Sequence, residues 1–189
     1  MDFPRYYTSF HGETVAKFLR GEFGSIDQVS PYLASLAYAL DRAGARQEME
    51  DFLKKGGVII SNRYTSSNMG HQMSKFNTKE EQKKYFKWLY DLEYKIHRIP
   101  KEDLVIYLHV PHKVADELTQ KKDERKYLNG AKTDIHENDN NYRVKVEKTF
   151  LELAESQPHW VKIDCVKNKK ILDIDSIHKM VVREVEKVI

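Results

Sequence analysis

The 189-residue chain lacks several features that would have fixed its class at once. It has a single cysteine, Cys165. A lone thiol excludes an internal disulfide framework and suits a reducing cytosol. Cysteine and histidine nowhere share the spacing of a zinc site, so a structural metal is not expected. Apolar runs are only a few residues long, which excludes a membrane-spanning helix. The opening "MDFPRYYTSF" has neither a basic n-region nor an apolar h-region, so no signal peptide is expected. No G-x-S-x-G nucleophile elbow occurs. No Gly-Lys pair occurs either, so the phosphate-cradling G-x-x-x-x-G-K-S/T loop is absent. Neither sign of charge dominates. The 32 basic residues face 29 acidic ones, and a net charge of +3 is too even to imply a nucleic-acid partner.

What is present describes a folded intracellular protein. Hydrophobic residues make up 40% and charged residues 32%, the balance of a soluble globular chain. The length suits one domain over residues 1–189. "ETVAKFLRGEFG" predicts a short helix with Val15, Phe18 and Leu19 on one face and Gly21 and Gly24 at its end. Residues 26–57 predict a long helix or a bent pair. Ser30 would cap it, Pro31 would start it, Gly44 would bend it, and Gly56 and Gly57 would stop it. Its expected apolar stripe is Leu33, Leu36, Ala37 and Leu40. "VIIS" reads as a strand buried on both faces. Thr78 caps a helix with Tyr85, Trp88, Leu89 and Leu92 inward. "DLVIYLHV" and "WVKIDC" are further strands, and Cys165 is expected to be a buried strand-end residue. "HKVADELTQ" and "YRVKVEKTFLELAES" are helices, "KKILDI" is a short element, and a closing helix is expected to be capped by Ser176. Helices alternating with apolar strands predict an α/β fold with a parallel sheet.

Ligands of such sheets bind outside the carboxyl ends of the strands. That edge receives Asn62 and Arg63, followed by Thr65, Ser66, Ser67 and Asn68. Arginine offers a planar pair of donors that suits phosphate. Tyr38 and Arg42 share one helix face, so a ring could stack on a base beside a guanidinium. Arg5 supplies a third cation. Lys121, Lys122, Arg125, Lys126 and Lys132 populate a segment, 119–139, that reads as a lid. Each feature has a plainer reading. The strand end could be merely solvated, Tyr38 core, Arg42 a surface charge, the basic segment a solvated face, and His71 and His109 structural.

The ordered set of segments resembles the thymidylate kinase family over nearly the whole chain. "DFPRYY" is similar to that family's Phe-Pro segment, "YALDR" to its base-stacking helix, and "SNRYTSSNMGHQ" to its Asp-Arg-Tyr, Ser-Asn, Tyr-Gln signature. "EYKIHRIPKEDLVIYLHVP" and "DIHENDNNYRVKVEKTFLELAE" resemble its later strand and the segment after its lid. The resemblance implies a P-loop nucleoside monophosphate kinase fold and transfer of the γ-phosphoryl of ATP to dTMP with Mg2+. It implies that Tyr38 stacks on thymine and that Arg42 holds thymine or phosphate. Arg63 and Arg5 would hold the monophosphate, Asn68 would face the base, and His71 would lie near the sugar. Asn62, Arg63 and Arg125 would carry catalytic roles, and Asp134 and Glu137 would anchor the lid's return. Members are typically homodimers, and a stripe such as Leu33, Leu36 and Leu40 could pair.

Three departures accompany the resemblance. Asn62 stands where the family has aspartate, and an amide cannot neutralise magnesium as a carboxylate does. Tyr38 replaces phenylalanine. The strand, P-loop and helix that precede "FPR" in the family, with its second strand, have no counterpart, so Met1 is expected to be an internal methionine of a longer reading frame. Two other functions stay open: a catalytically dead nucleotide-binding module, and a kinase for another deoxynucleoside or its monophosphate.

Overall fold

The computed structural model describes residues 1–120, 125–131, 133–136 and 139–189. Helix α1 (Phe10–Leu19) starts where Ser9 leaves the helical conformation and its hydroxyl accepts the Gly12 amide. Val15, Phe18 and Leu19 are buried, and Gly21 and Gly24 end the segment with positive φ. Gly12 has a packing role: a Cβ there would lie 2.2 Å from the Arg5 carbonyl oxygen, so the chain at Arg5 runs against the helix.

The next segment is the bent pair, α2 (Pro31–Gly44) and α3 (Arg46–Lys54), broken at Ala45. Pro31 opens α2, but the Ser30 side chain makes no capping bond. The expected stripe holds at Ala37, which packs against the cluster of Val15, Phe18 and Leu19, and fails at its outer leucines. Leu33 is 64% and Leu40 39% exposed, while Ala34, Ser35, Ala39, Asp41 and Arg42 are buried. Two alanines let neighbouring helices approach, and each buried polar group has a partner, which removes the cost of burying it. Ser35 Oγ, for example, lies 2.6 Å from Tyr85 Oη.

"VIIS" also departs from expectation. Val58 and Ile60 are 55% and 75% exposed, and only Asn62 forms a ladder bridge, parallel to Asp2. The segment is extended but has its described backbone bonds with the first three residues alone: Met1 N to Ile60 O, Asn62 N to Met1 O and Phe3 N to Asn62 O. With one neighbour, the apolar side chains at 58 and 60 gain no second layer. Ile59 alone packs inward, against the cluster of Phe3, Met49, Tyr64 and Ile99.

The hydroxyl-rich stretch that follows is helix α4 (Thr65–Met73). Helix α5 (Lys79–Tyr90) carries the expected cap as a reciprocal box between Thr78 and Glu81, and continues into a π-helical turn, Asp91–Ile96. Tyr85 and Leu89 are fully buried. Strand β1 (Val105–His109) leads into α6 (His112–Gln120). A short 3-10 turn (Lys126–Leu128), α7 (Asn140–Ser156) and β2 (Trp160–Asp164) follow. A small hairpin of β3 (Val166–Lys167) and β4 (Lys170–Ile171) precedes α8 (Ile174–Val185), whose cap is Asp173 rather than Ser176. Strands β1 and β2 pair in parallel from Val105 with Trp160 to His109 with Asp164. Cys165 is buried, as expected.

The main core joins Met69 and Met73 of α4, Tyr85 and Leu89 of α5, Leu153 of α7 and Trp160 of β2. Gly70 permits this closeness, because a Cβ there would lie 2.2 Å from the Phe150 ring. The result is a firm seat for α4, and α4 begins two residues after Arg63. Among the described residues no helix is long and apolar enough to cross a membrane.

Candidate functional site

Arg63 sits between the extended segment and α4, with φ of +64°. A branched or long side chain rarely adopts that left-handed geometry, so surrounding contacts must hold it. They are visible on three consecutive carbonyls. Asn62 O accepts from Phe3 N at 3.1 Å, Arg63 O from Ser61 Oγ at 2.6 Å, and Tyr64 O from Arg42 Nη1 at 3.4 Å.

The Arg63 side chain is exposed, with Nη1 3.4 Å from His71 Nε2. Tyr6, Tyr38 and Tyr142 all have phenol pKa values raised by burial, and the positive charge of Arg63 works against that rise in all three. The guanidinium therefore lies within electrostatic range of phenols from three segments. Asp134 acts on the same phenols with the opposite sign. His71 stacks on His136 with ring centres 5.4 Å apart. Burial, then His136, Arg63 and Lys75, hold the His71 pKa well below 6.5, so its ring is neutral. A neutral ring that accepts from Arg63 at Nε2 carries its proton at Nδ1, 3.3 Å from Tyr142 Oη. Tyr142 Oη in turn donates to His71 O at 2.9 Å.

Tyr38 is half-buried and meets Phe18 edge-on at 6.5 Å. Asn68 is buried, and its Nδ2 donates to Ser35 O at 3.4 Å. Arg5 is drawn towards α2: its Nε donates to Asp41 Oδ1 at 3.1 Å and its Nη2 to Asp41 O at 2.6 Å. Arg42 is 1% exposed and paired through Nε and Nη2 with Glu93, which is fully buried. Burial opposes the Arg42 charge, but the Glu93 carboxylate more than offsets it and the pKa is raised. The structure thus places Arg63 beside His71 and within electrostatic range of Tyr38, and turns the Arg42 guanidinium to Glu93.

Asn62 is exposed, and its Nδ2 donates to Asp2 Oδ1 at 3.0 Å. Arg125 Nη1 donates to Tyr127 Oη, and Tyr127 stacks face to face on Tyr6 at 4.1 Å. The described part of the expected lid therefore rests on the same ring that neighbours Arg63. Lys126 is exposed in the 3-10 turn. Lys121, Lys122, Lys132 and Glu137 lie outside the described residues. His109 belongs elsewhere, bonded to Asp164 at 2.7 Å and Glu147 at 3.0 Å. Among the described residues no cluster of three or more metal-ligating side chains occurs.

Sequence reasoning missed Tyr6, Asp41, Glu93 and Tyr142. Glu93 had a signal, since it follows the fully buried Leu89 by one helical turn. Tyr6 and Tyr142 had none, because their convergence depends on how distant segments pack.

A solved thymidylate kinase from Candida albicans aligns with a TM-score of 0.72 at 19% identity, covering 98% of this chain and 78% of its own. Its description credits it with broad substrate specificity and a novel structural element. The likeness gives the class: the α/β fold of the P-loop nucleoside monophosphate kinases. Two curated thymidylate kinases, from two strains of Mycobacterium tuberculosis, are each 28% identical over 152 residues, covering 80% of this chain and 69% of theirs. The thymidylate kinase family profile matches residues 10–175. The chain belongs to the thymidylate kinase family, whose members are phosphotransferases acting on dTMP.

Proposed function

We propose that this chain binds dTMP between α2, α4 and α7 and presents it for phosphorylation by ATP and Mg2+. The observation that carries the reading is Arg63, an exposed guanidinium held in a constrained backbone beside His71 and within electrostatic range of Tyr6, Tyr38 and Tyr142. A phosphate monoester with a planar base suits that arrangement: the cation takes the phosphate and a ring takes the base. In this reading Tyr38 stacks on thymine, Asn68 faces the base, His71 lies by the sugar, and Arg63 with Arg5 holds the monophosphate. Arg125 and Lys126 belong to a lid over residues 119–139 of a single domain. Asp2 accepts from Asn62 Nδ2 on this exposed edge, and its carboxylate is a protein share that suits magnesium when phosphates and water complete the shell. Bound there, the ion would neutralise phosphate charge.

Calorimetric titration with dTMP, followed by a coupled assay with ATP and Mg2+, tests the proposal. Saturable binding with turnover supports it, and no dTMP binding at millimolar concentration overturns it. A second reading is binding without turnover, and saturable dTMP binding with no turnover would favour it. Equal turnover of dUMP, dTMP and dGMP would move the assignment to a kinase of other deoxynucleotides. A cytoplasmic homodimer completes the proposal. It draws on exposed Phe23 and Leu33, which line a groove of about 320 Å³ between α1 and α2. Sedimentation of the parent chain and Leu33→Glu tests it, and two identical monomer profiles refute it.

A further inference from the structure

We infer that His109, with Asp164 and Glu147, forms a proton-dependent clamp at the carboxyl edge of the sheet, and that this clamp fixes the seat of α6. The cluster lies outside the proposed dTMP site and does not depend on it. His109 ends β1, and both nitrogens of its ring face carboxylate oxygens. Nδ1 lies 2.7 Å from Asp164 Oδ1, and Nε2 lies 3.0 Å from Glu147 Oε1. A neutral imidazole has one N–H and one lone pair. It would therefore set a lone pair against one of the two carboxylates. Both contacts are hydrogen bonds only if the ring and the two carboxyls share one more proton.

The carboxyls show where that proton sits. Bonds from His109 and Lys162 hold Asp164 below its ordinary range. Burial works against the Glu147 charge, but bonds from His109 and His112 outweigh it, and the Glu147 carboxyl is lowered too. Both groups are ionised near neutral pH, so the ring carries a proton on each nitrogen. The side chains of His109 and Glu147 are 13% and 19% exposed, so their charge-assisted bond is only partly screened by water.

Three further elements meet on this ring. Asp164 ends β2, and its Oδ2 also receives Lys162 Nζ at 3.0 Å. Glu147 belongs to α7. Its other oxygen, Oε2, accepts from His112 Nδ1 at 2.7 Å and from the His112 backbone N at 3.1 Å. Helix α6 starts at His112, so one carboxylate satisfies the first amide of that helix and ties it to α7 and β1. Tyr107 of β1 also faces the ring, with ring centres 5.7 Å apart and its phenol pushed up to about 12, first by burial. Cys165 follows Asp164, and its backbone N donates to His109 O at 2.9 Å. Burial raises its thiol.

The clamp holds within a pH window. As pH falls through the lowered values of Asp164 and Glu147, these carboxylates take up protons and their bonds to the ring weaken. As pH rises, the ring gives up one proton, a lone pair meets a carboxylate, and Glu147 loses its hold on the strand. Helix α6 leads into residues 119–139, the proposed lid, so the clamp sets the root of that segment.

The test needs no nucleotide. Long-range 15N–1H spectra of the full chain, with the His109 ring assigned by His109→Gln, count the protons on each ring nitrogen between about pH 5.5 and pH 9. The His112 amide resonance reports on α6 in the same samples. His109 should hold two protons at the acid end, and the loss of one should move the His112 amide with the same midpoint. Glu147 is the link, so in Glu147→Gln the amide should stop following the ring. In Asp164→Asn the midpoint should fall by about 1 pH unit or more, because an opposite charge beside the ring is gone. Asp164 is 56% exposed and asparagine keeps its shape, so the fold should tolerate that change. A ring with one proton at every pH at which the chain is folded overturns the inference. So does a His112 amide that ignores the ring in the parent chain or still follows it in Glu147→Gln, and so does a midpoint that Asp164→Asn leaves in place. If a variant does not fold, the proton count and the amide in the parent chain decide the matter.

Discussion

Arg42 and Arg63 are the same residue type and lie close enough for one to bond the backbone beside the other, yet their surroundings are opposite. Arg42 is buried, paired and raised in pKa by Glu93. Arg63 is exposed, and its strain lies in the backbone. The difference teaches where a charge can be used. A buried arginine spends its donors on the fold, because an unpaired buried cation costs several kcal/mol. A solvated one keeps donors for a ligand, and the fold need only hold its backbone. Breaking this contrast from the buried side should have the largest effect. Glu93→Ala leaves Arg42 as an uncompensated buried charge and should cost about 3–5 kcal/mol of stability, read from the urea midpoint. A loss under about 1 kcal/mol would show that water reaches the pair.

The exposed side should respond in binding and hardly at all in folding. Arg63→Ala should weaken dTMP by about 1.5–3 kcal/mol, the range for a bond to a charged group. Its stability should stay within about 0.5 kcal/mol of the parent, as for most surface changes. A large fall in stability with unchanged dTMP affinity would reverse the roles of the two arginines.

The same contrast explains what was readable beforehand. Helix α5 was legible because Thr78, Glu81, Tyr85 and Leu89 each follow a local rule of capping or periodicity. The parallel sense of β1 and β2 was legible from apolar runs alternating with helices, though which strands pair was not. The inner face of α2 was not. Leu33 and Leu40 point outward while Ser35, Asp41 and Arg42 point in, and only partners 36 to 51 residues away make that favourable. The strand expected at "VIIS" failed for a related reason, since burial of Val58 and Ile60 depends on neighbours that periodicity cannot supply. At the site, Arg63 and Tyr38 could be named from type and spacing and His71 only from the family resemblance, while the commitment of Arg42 to Glu93 could be read from neither. Spacing places two side chains on one face without saying which of them is already occupied.

His71 sharpens the comparison further, because it touches the exposed arginine while being shielded itself. Its pKa is depressed in the fold, from 6.5 downward. The unfolded chain therefore takes up a proton first as pH falls, and stability contributed by neutral His71 is present above pH 6.5 and declines below it. His71→Tyr removes that group and keeps an aromatic ring. The variant's melting temperature should vary less between pH 7.5 and pH 5 than the parent's. Identical pH slopes would place the sensitivity on other groups.

The smallest effect is expected where both partners are already in water. Asn62 donates to Asp2 at 3.0 Å on the exposed edge, so Asn62→Asp exchanges a hydrogen bond for two adjacent carboxylates. Without divalent ions the variant should lose about 0.5–1.5 kcal/mol, the worth of one such bond, with some added repulsion that salt screens. A divalent cation binds paired carboxylates more strongly than a carboxylate beside an amide, so millimolar Mg2+ should restore the melting temperature of the variant more than it raises that of the parent. If Mg2+ moves both melts equally, residues 2 and 62 do not share an ion. The assignment of the metal to this edge then fails, while the contrast between the two arginines, which depends on neither side chain, is left standing.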